Sequence, residues 1–310
     1  MITIEQINVN NILNTIHNKD CIEFMKQLSN ECIDLIIADP PYYKTINEKW
    51  DKQWKTEEEY LQWTEQWFNE CVRILKPTGS FYCYGNFDIL SKQKVHIFDK
   101  KLYFRQNITL SKGLKSIAGR TSDKLRMFPT ASEYLLFYVK QSSFFQTPFS
   151  KIIKEKMKEL NLKEIDFRKL KVSKNNNPTG WCSNIIKGKN IPTKENWDLI
   201  CNLIHINNNT YNDLVNQYKN ERFIFNLPTG VTDVWDFTPD KIRYGHKTQK
   251  PMDITNRIVK ASSNEQDIVY IPFAGSGSEI VSCINNNRYY IATETNQQYI
   301  DDIIIPRINK

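Results

Sequence analysis

One late stretch restricts the possible folds of this chain more than any other. Asp267-Ile268-Val269-Tyr270-Ile271-Pro272-Phe273 reads as a short buried strand. Ala274-Gly275-Ser276-Gly277-Ser278 follows, and Glu279-Ile280-Val281-Ser282-Cys283-Ile284 then has helical spacing. Strand, Gly-x-Gly turn and helix are the start of a nucleotide-binding βα unit. The third glycine of a dinucleotide fingerprint is missing, because position 280 is Ile. Glu294 lies 19 residues after Gly275, at the end of an expected strand Tyr289-Tyr290-Ile291-Ala292-Thr293. An acidic residue so placed takes ribose hydroxyls. Such a unit commits its chain to a parallel, helix-covered sheet.

A second stretch sets a carboxylate at a strand end. The apolar run Ile33-Asp34-Leu35-Ile36-Ile37 reads as another buried strand, and Ala38-Asp39-Pro40-Pro41-Tyr42 follows. Two prolines stop the strand, since neither can donate to a ladder. Ligands of open α/β sheets bind at that carboxyl edge. Asp39 offers an acceptor, the proline carbonyls point in set directions, and Tyr42 can stack on a flat ring. The set suits an exocyclic NH2 group, which donates two hydrogens. A plain polar turn is the competing reading, since Asp and Pro are common turn residues.

The 310 residues suit one large domain with an insertion, or two domains. Hydrophobic residues at 40% exclude a disordered chain. No apolar run reaches the ~18 residues of a membrane span. Met1-Ile2-Thr3-Ile4-Glu5 lacks the basic-then-apolar pattern of a signal peptide. The seven cysteines are scattered and form no Cys-x-x-Cys, so neither disulfides nor a metal site are expected, and a cytoplasmic location is. Net charge is +7, yet residues 91–130 alone carry ten Lys/Arg against Asp99 and Asp123. An excess so local reads as a polyanion footprint.

Along the chain, Thr15 to Asp20 reads as a strand and Cys21 to Leu28 as a helix. Tyr43 to Lys55 reads as a loop carrying Trp50 and Trp54. Two readings of it stay open, a lid that grips a partner and a loop packed by its own aromatics. Thr56-Glu57-Glu58-Glu59 is a capping box, and Tyr60, Trp63, Trp67, Cys71 and Ile74 mark one face of the helix it opens. Lys76-Pro77-Thr78-Gly79 should end that helix before a strand from Ser80 to Tyr84. Two further strands are expected at Phe104–Leu110 and Glu133–Val139, joined by the basic loop Ser111–Thr130. After about Gln141 the strand–helix alternation ceases. Lys151 to Val172 has helical spacing, and Trp181 to His205 reads as helix, turn and a helix capped by Thr193, a faint helix-turn-helix pattern.

Asp-Pro-Pro-Tyr first and Phe-x-Gly-x-Gly later resemble the β-group of DNA amino-methyltransferases, enzymes of N6-adenine or N4-cytosine that use S-adenosylmethionine. Leu75-Lys76-Pro77-Thr78-Gly79-Ser80 and Lys247-Thr248-Gln249-Lys250-Pro251 resemble further blocks of that family, in its order. The resemblance covers about residues 12–140 and 225–308. This chain departs from it with Ile271 for an Asp, Ala292 for a Gly and Ser278 for a Thr. The resemblance implies an α/β fold, a doubly wound and mostly parallel Rossmann-like sheet with permuted motif order. Residues 1–140 would be the catalytic half, 141–225 a mainly helical target-recognition insert, and 226–310 the cofactor half.

It also implies methyl transfer to the N6 amine of adenine in double-stranded DNA, with the base flipped out of the duplex. Asp39, Pro40, Pro41 and Tyr42 would be catalytic. Asp20, Asp39, Thr248, Lys250, Pro251, Phe273, Gly275, Ser276, Gly277, Ser278 and Glu294 would bind S-adenosylmethionine. Trp50, Lys112, Lys115, Arg120, Lys124 and Arg126 would contact DNA. A homodimer and a cognate restriction endonuclease are the protein partners the resemblance suggests. Alternatives are N4-cytosine methylation, methylation of RNA or a protein glutamine, and an inactive DNA-binding scaffold.

Overall fold

The computed structural model describes residues 6–45, 51–113, 125–141, 146–207, 210–238, 240–242, 244–246 and 248–309. Its eight strands are β1 (Thr15–His17), β2 (Ile33–Ala38), β3 (Leu75–Gly85), β4 (Tyr103–Ser111), β5 (Ser132–Val139), β6 (Val234–Asp236), β7 (Ile268–Ile271) and β8 (Tyr289–Thr293). They form a sheet in the order β1-β8-β7-β2-β3-β5-β4-β6. Five neighbour pairs are parallel, and only β3–β5 and β5–β4 are antiparallel. This is the expected mostly parallel α/β sheet.

The central strands are buried on both faces because successive side chains alternate. Ile36 and Ala38 of β2 join a core with Phe24 and Met25 of α1 (Cys21–Met25) and Trp67, Phe68 and Cys71 of α2 (Glu57–Ile74). Leu90 of α3 (Phe87–His96) joins them. Leu35 and Ile37 face the opposite core. That core is closed by Ile254, Ile258 and Val259 of α9 (Met252–Ser262) and Ile280 and Cys283 of α10 (Ser278–Asn285). Helices therefore cover both faces. β2 and β7 lie side by side, but β2 continues through α2 to β3 and β7 through α10 to β8, on opposite faces and sides. Such a divergence opens a crevice at the strands' carboxyl ends.

The chain divides into two compact units, one of Met1–Gln141 with Phe223–Lys310 and one of Ser142–Arg222. The second is helical: α4 (Pro148–Glu159), α5 (Glu164–Arg168), α6 (Ser183–Ile186), α7 (Lys194–Ile204) and α8 (Tyr211–Glu221). Phe149, Ile153, Phe167, Trp197 and Ile200 form its own core.

Several boundaries differ from the sequence reading. The first helix stops at Met25, not Leu28. The Lys151–Val172 pattern is two helices, parted where Asn161 takes a left-handed φ of 52°. Lys76 to Gly79 lies inside β3, where the register with β2 slips between Ile33 and Leu35. Lys76 Nζ donates to Asp34 there at 2.8 Å, an ion pair that favours extended chain over a turn.

Candidate active site

β2 delivers Asp39 to the crevice, and its surroundings hold it there. The Tyr42 hydroxyl donates to Asp39 Oδ1 at 2.7 Å. Lys250 Nζ donates to the Tyr42 hydroxyl at 2.7 Å and stands 3.0 Å from Asp39 Oδ1 and 3.6 Å from Glu133 Oε2. Glu133 opens β5 and also pairs with Lys112 at 2.5 Å. Lys250 is 5% exposed. Burial alone would favour its neutral form, but Asp39 and Glu133 outweigh it and hold its pKa above the ordinary lysine value. Burial would likewise raise Glu133, yet Lys250 and Lys112 hold it below the usual carboxylate range. Burial and then Asp39 push the Tyr42 phenol up. The Pro-Pro turn is tied from behind, where the Tyr60 hydroxyl of α2 donates to the Pro41 carbonyl at 2.6 Å.

The glycine turn follows β7. Gly275 and Gly277 have φ of +49° and +71°, a region that side chains rarely adopt. A Cβ on Gly275 would stand 3.3 Å from the His246 ring, and one on Gly277 would stand 3.0 Å from Ile304. The Gly275 N–H donates to Glu294 Oε2 at 2.9 Å, and the Asn296 N–H donates to Glu294 Oε1 at 2.9 Å. Glu294 thus closes the turn while lining the crevice, and burial raises its pKa. Ser278 donates to the Lys250 carbonyl at 2.7 Å, and Arg307 donates to Ser278 Oγ and to the Ser276 carbonyl. The turn and the lysine are thereby one assembly.

Asp39 and the glycine turn share one cavity of about 920 Å³. The paired registers Leu35↔Val269 and Ile36↔Tyr270 explain this, since Asp39 and Phe273 each stand three residues past a paired partner. Asp20, Asp39, Pro40, Pro41, Tyr42, Thr248, Lys250, Pro251, Phe273, Gly275, Ser276 and Glu294 all line it. Gly277 and Ser278 do not. One supplies the left-handed cap of α10, and the other spends its hydroxyl on the frame. Asp20 has a local duty as well, capping α1 through the Ile22 and Glu23 N–H groups.

Of the residues expected to meet DNA, Lys112 lines the cavity and Arg126 is exposed. Trp50, Lys115, Arg120 and Lys124 lie outside the described residues. Trp54, only 8% exposed, meets Tyr60 edge-on at 4.8 Å and lies tilted against Trp63 at 4.6 Å, so this tryptophan packs the loop from within. Among the described residues no group of three or more His, Cys, Asp or Glu is placed to hold a metal ion. No helix among them is long and apolar enough to cross a membrane.

Sequence reading missed Glu133 and Glu279. Glu133 passed as a strand start and Glu279 as one residue in a helical pattern; only burial marks them. Glu279 is 4% exposed and lines the cavity, and its Oε1 has no hydrogen-bond partner among the described residues.

The cavity suits a nucleoside-bearing cofactor. Gly275 presents bare backbone to it, Glu294 stands at a strand end within reach of hydroxyls, and one oxygen of Glu279 has no partner among the described residues. A doubly wound sheet with this crevice and an Asp-Pro-Pro-Tyr turn on its wall defines a methyltransferase of the Rossmann-like class. A family model for DNA methylase, N6_N4_Mtase, matches residues 33–305, and the chain belongs to this family of DNA methyltransferases. It is 28% identical over 311 residues to the Type II methyltransferase M.HinfI of Haemophilus influenzae, covering 95% of this chain and 68% of that protein. It is 26% identical to the DNA adenine methyltransferase YhdJ of Escherichia coli (strain K12), covering 92% and 80%. The crystal structure of the M1.HpyAVI–SAM complex matches the fold with a TM-score of 0.53 at 17% identity, covering 94% and 98%.

Proposed function

We propose that the chain transfers the methyl group of S-adenosylmethionine to the N6 amine of adenine in double-stranded DNA. The observation that carries this reading is the shared cavity, with the Asp39 turn and the glycine turn on adjacent strand ends. When bound, S-adenosylmethionine supplies an electrophilic methyl group on its sulfonium. Glu294 and the Gly275 turn hold the nucleoside part, Phe273 lies beside the cofactor, and Thr248, Lys250 and Pro251 lie near its methionine end. Asp39 and the Pro40 carbonyl accept the two hydrogens of the adenine amine. That amine is a poor nucleophile because its lone pair is delocalised into the ring, and two such acceptors favour a pyramidal nitrogen. Lys250 holds Asp39 in place, and Asp39 takes the proton that the nitrogen sheds. Positioning and fixed charge supply the rate, with no covalent enzyme intermediate.

The base leaves the duplex at a cost of a few kcal/mol, and the Tyr42 ring stacks on it. Lys112, Lys115, Arg120, Lys124 and Arg126 hold phosphates, and Trp50 contacts the DNA. Residues 142–222 recognise the target sequence. A relative named as a DNA adenine methyltransferase supports adenine. Relatives named as Type II methyltransferases support pairing with a restriction endonuclease. A homodimer and a cytoplasmic location complete the proposal, the latter supported by seven free thiols.

The test is incubation with labelled S-adenosylmethionine and varied genomic DNA, followed by sequencing that detects modified bases. N6-methyladenine at a recurring site is expected. N4-methylcytosine would overturn the base assignment, and no transfer to any DNA would overturn the reaction.

A further inference from the structure

We infer that Glu279 is the carboxylate that receives the α-ammonium group of the cofactor's methionine part, an assignment that rests on the cofactor reading above. The wall of the cavity carries several carboxylates, and their engagements differ. Asp39 already holds the Tyr42 hydroxyl and Lys250. Glu133 is paired with Lys112 and Lys250. Glu294 accepts two backbone N–H groups. Glu279 is 4% exposed and has an oxygen with no partner among the described residues. A buried carboxylate oxygen in that condition is costly unless a cation or donor arrives.

Its place selects the ligand atom. Glu294 marks the nucleoside end, and Asp39 with Lys250 marks the end where the methyl group leaves. Glu279 shares its electrostatic surroundings with Asp39, Lys250 and Arg307. It therefore belongs to the methionine end, where the cofactor carries an ammonium. The end of β7 offers no acid for this duty, because Ile271 is fully buried in the apolar core. The charged and titratable groups facing Glu279 are Asp39 past β2, Tyr84 of β3, Lys250 ahead of α9, Cys283 of α10 and Arg307 of the turn Ile305–Ile308. Burial, then Asp39, raises the Glu279 carboxyl to about 7. An arriving ammonium stabilises the ionised form and expels the proton.

Calorimetric titration with two ligands tests the assignment. One is S-adenosylhomocysteine, which has the amine but no sulfonium, and the other is its analogue with hydrogen in place of the amine. At pH 8 the wild-type protein should bind the amine-bearing ligand at least about tenfold more tightly, and Glu279→Gln should bring that ratio near one. At pH 7 wild-type binding of S-adenosylhomocysteine should release about half a proton, seen as an enthalpy that changes with the buffer's ionisation heat. This second reading needs no variant. An unchanged ratio in Glu279→Gln, or a buffer-independent wild-type enthalpy, would overturn the assignment alone. A wild-type protein that binds neither ligand would overturn the cofactor reading and the assignment with it.

Discussion

Asp39 shows how a site residue is prepared before its substrate arrives. Its Oδ1 is held by Tyr42 and Lys250, so the carboxylate has one orientation and a nearby positive charge. Asp39→Ala should lower single-turnover methylation by about a hundredfold or more, with S-adenosylhomocysteine affinity within about threefold of wild type. Single-turnover rates beside calorimetric titration check this, and activity within about tenfold, ~1.4 kcal/mol of barrier, would remove Asp39 from its role. Glu279 carries the opposite sign of design, a group unsettled in the empty protein. Its pKa rises from 4.5 to about 7 on folding, so the native state binds its proton more tightly than the unfolded chain does. The stabilisation is complete below about 4.5 and is lost as pH rises through about 7, at most roughly 3 kcal/mol. Ligand-free Glu279→Gln should therefore gain melting temperature over wild type at pH 8 and lose that gain at pH 5. Equal melting shifts at both pH values would refute the strain. Asp39 was legible because prolines mark the strand end it follows, and Glu294 because it stands 19 residues past Gly275 at the end of the next apolar run. Glu279 was not, since its spacing merges with the apolar face of α10 and burial has no sequence signature.

At the scale of elements, α2 does more than cover the sheet. Thr56 Oγ1 accepts the Glu59 N–H, and Glu59 reaches back to the Lys55 N–H rather than to that of Thr56, a capping box shifted by one residue. The helix so fixed carries Tyr60, whose hydroxyl holds the Pro41 carbonyl and accepts from Gln93 at 3.1 Å. Tyr60→Phe leaves a carbonyl and an amide short of partners, at about 1–3 kcal/mol. We expect that loss in chemical denaturation. We also expect a lower single-turnover rate with cofactor affinity unchanged, since Pro41 belongs to the catalytic turn. A stability loss with full activity would show the contact to be structural only. The strands β2, β3 and β7 were readable as apolar runs with Gly or Pro at an end, and β8 as a short apolar run. The antiparallel pairing of β5 between β3 and β4 was not, because partner choice depends on contacts between distant segments. The loop tryptophans were equally undecidable, as an aromatic in a polar stretch looks the same whether it packs inward, as Trp54 does, or outward.

At the scale of the whole molecule, the basic excess is partly consumed within the fold. Lys92 pairs with Glu57 at 2.7 Å, Lys94 with Asp99 at 2.6 Å and Lys112 with Glu133 at 2.5 Å. Local charge counting could not see Glu57 or Glu133, which both lie outside the basic stretch. Sequence specificity therefore needs more than this segment, and residues 142–222 are the proposed source. The sheet unit resumes close to where it paused, since the Phe223 N–H donates to the Gln141 side chain at 3.0 Å. A segment with adjacent ends and its own core of Phe149, Ile153, Trp197 and Ile200 can be removed as a piece. Replacing residues 142–222 by a Gly/Ser linker of about four residues should leave a folded remainder. It should bind S-adenosylhomocysteine within about threefold of wild type. Its methylation of the recognised site should fall to the level seen on random DNA, a loss of about a thousandfold in preference. Calorimetry and competitive methylation of matched and scrambled duplexes read the two halves of this expectation separately. Retained site preference in the shortened chain would move recognition to the sheet unit and its basic segment, and a lost cofactor site would show that the helical unit supports the crevice itself.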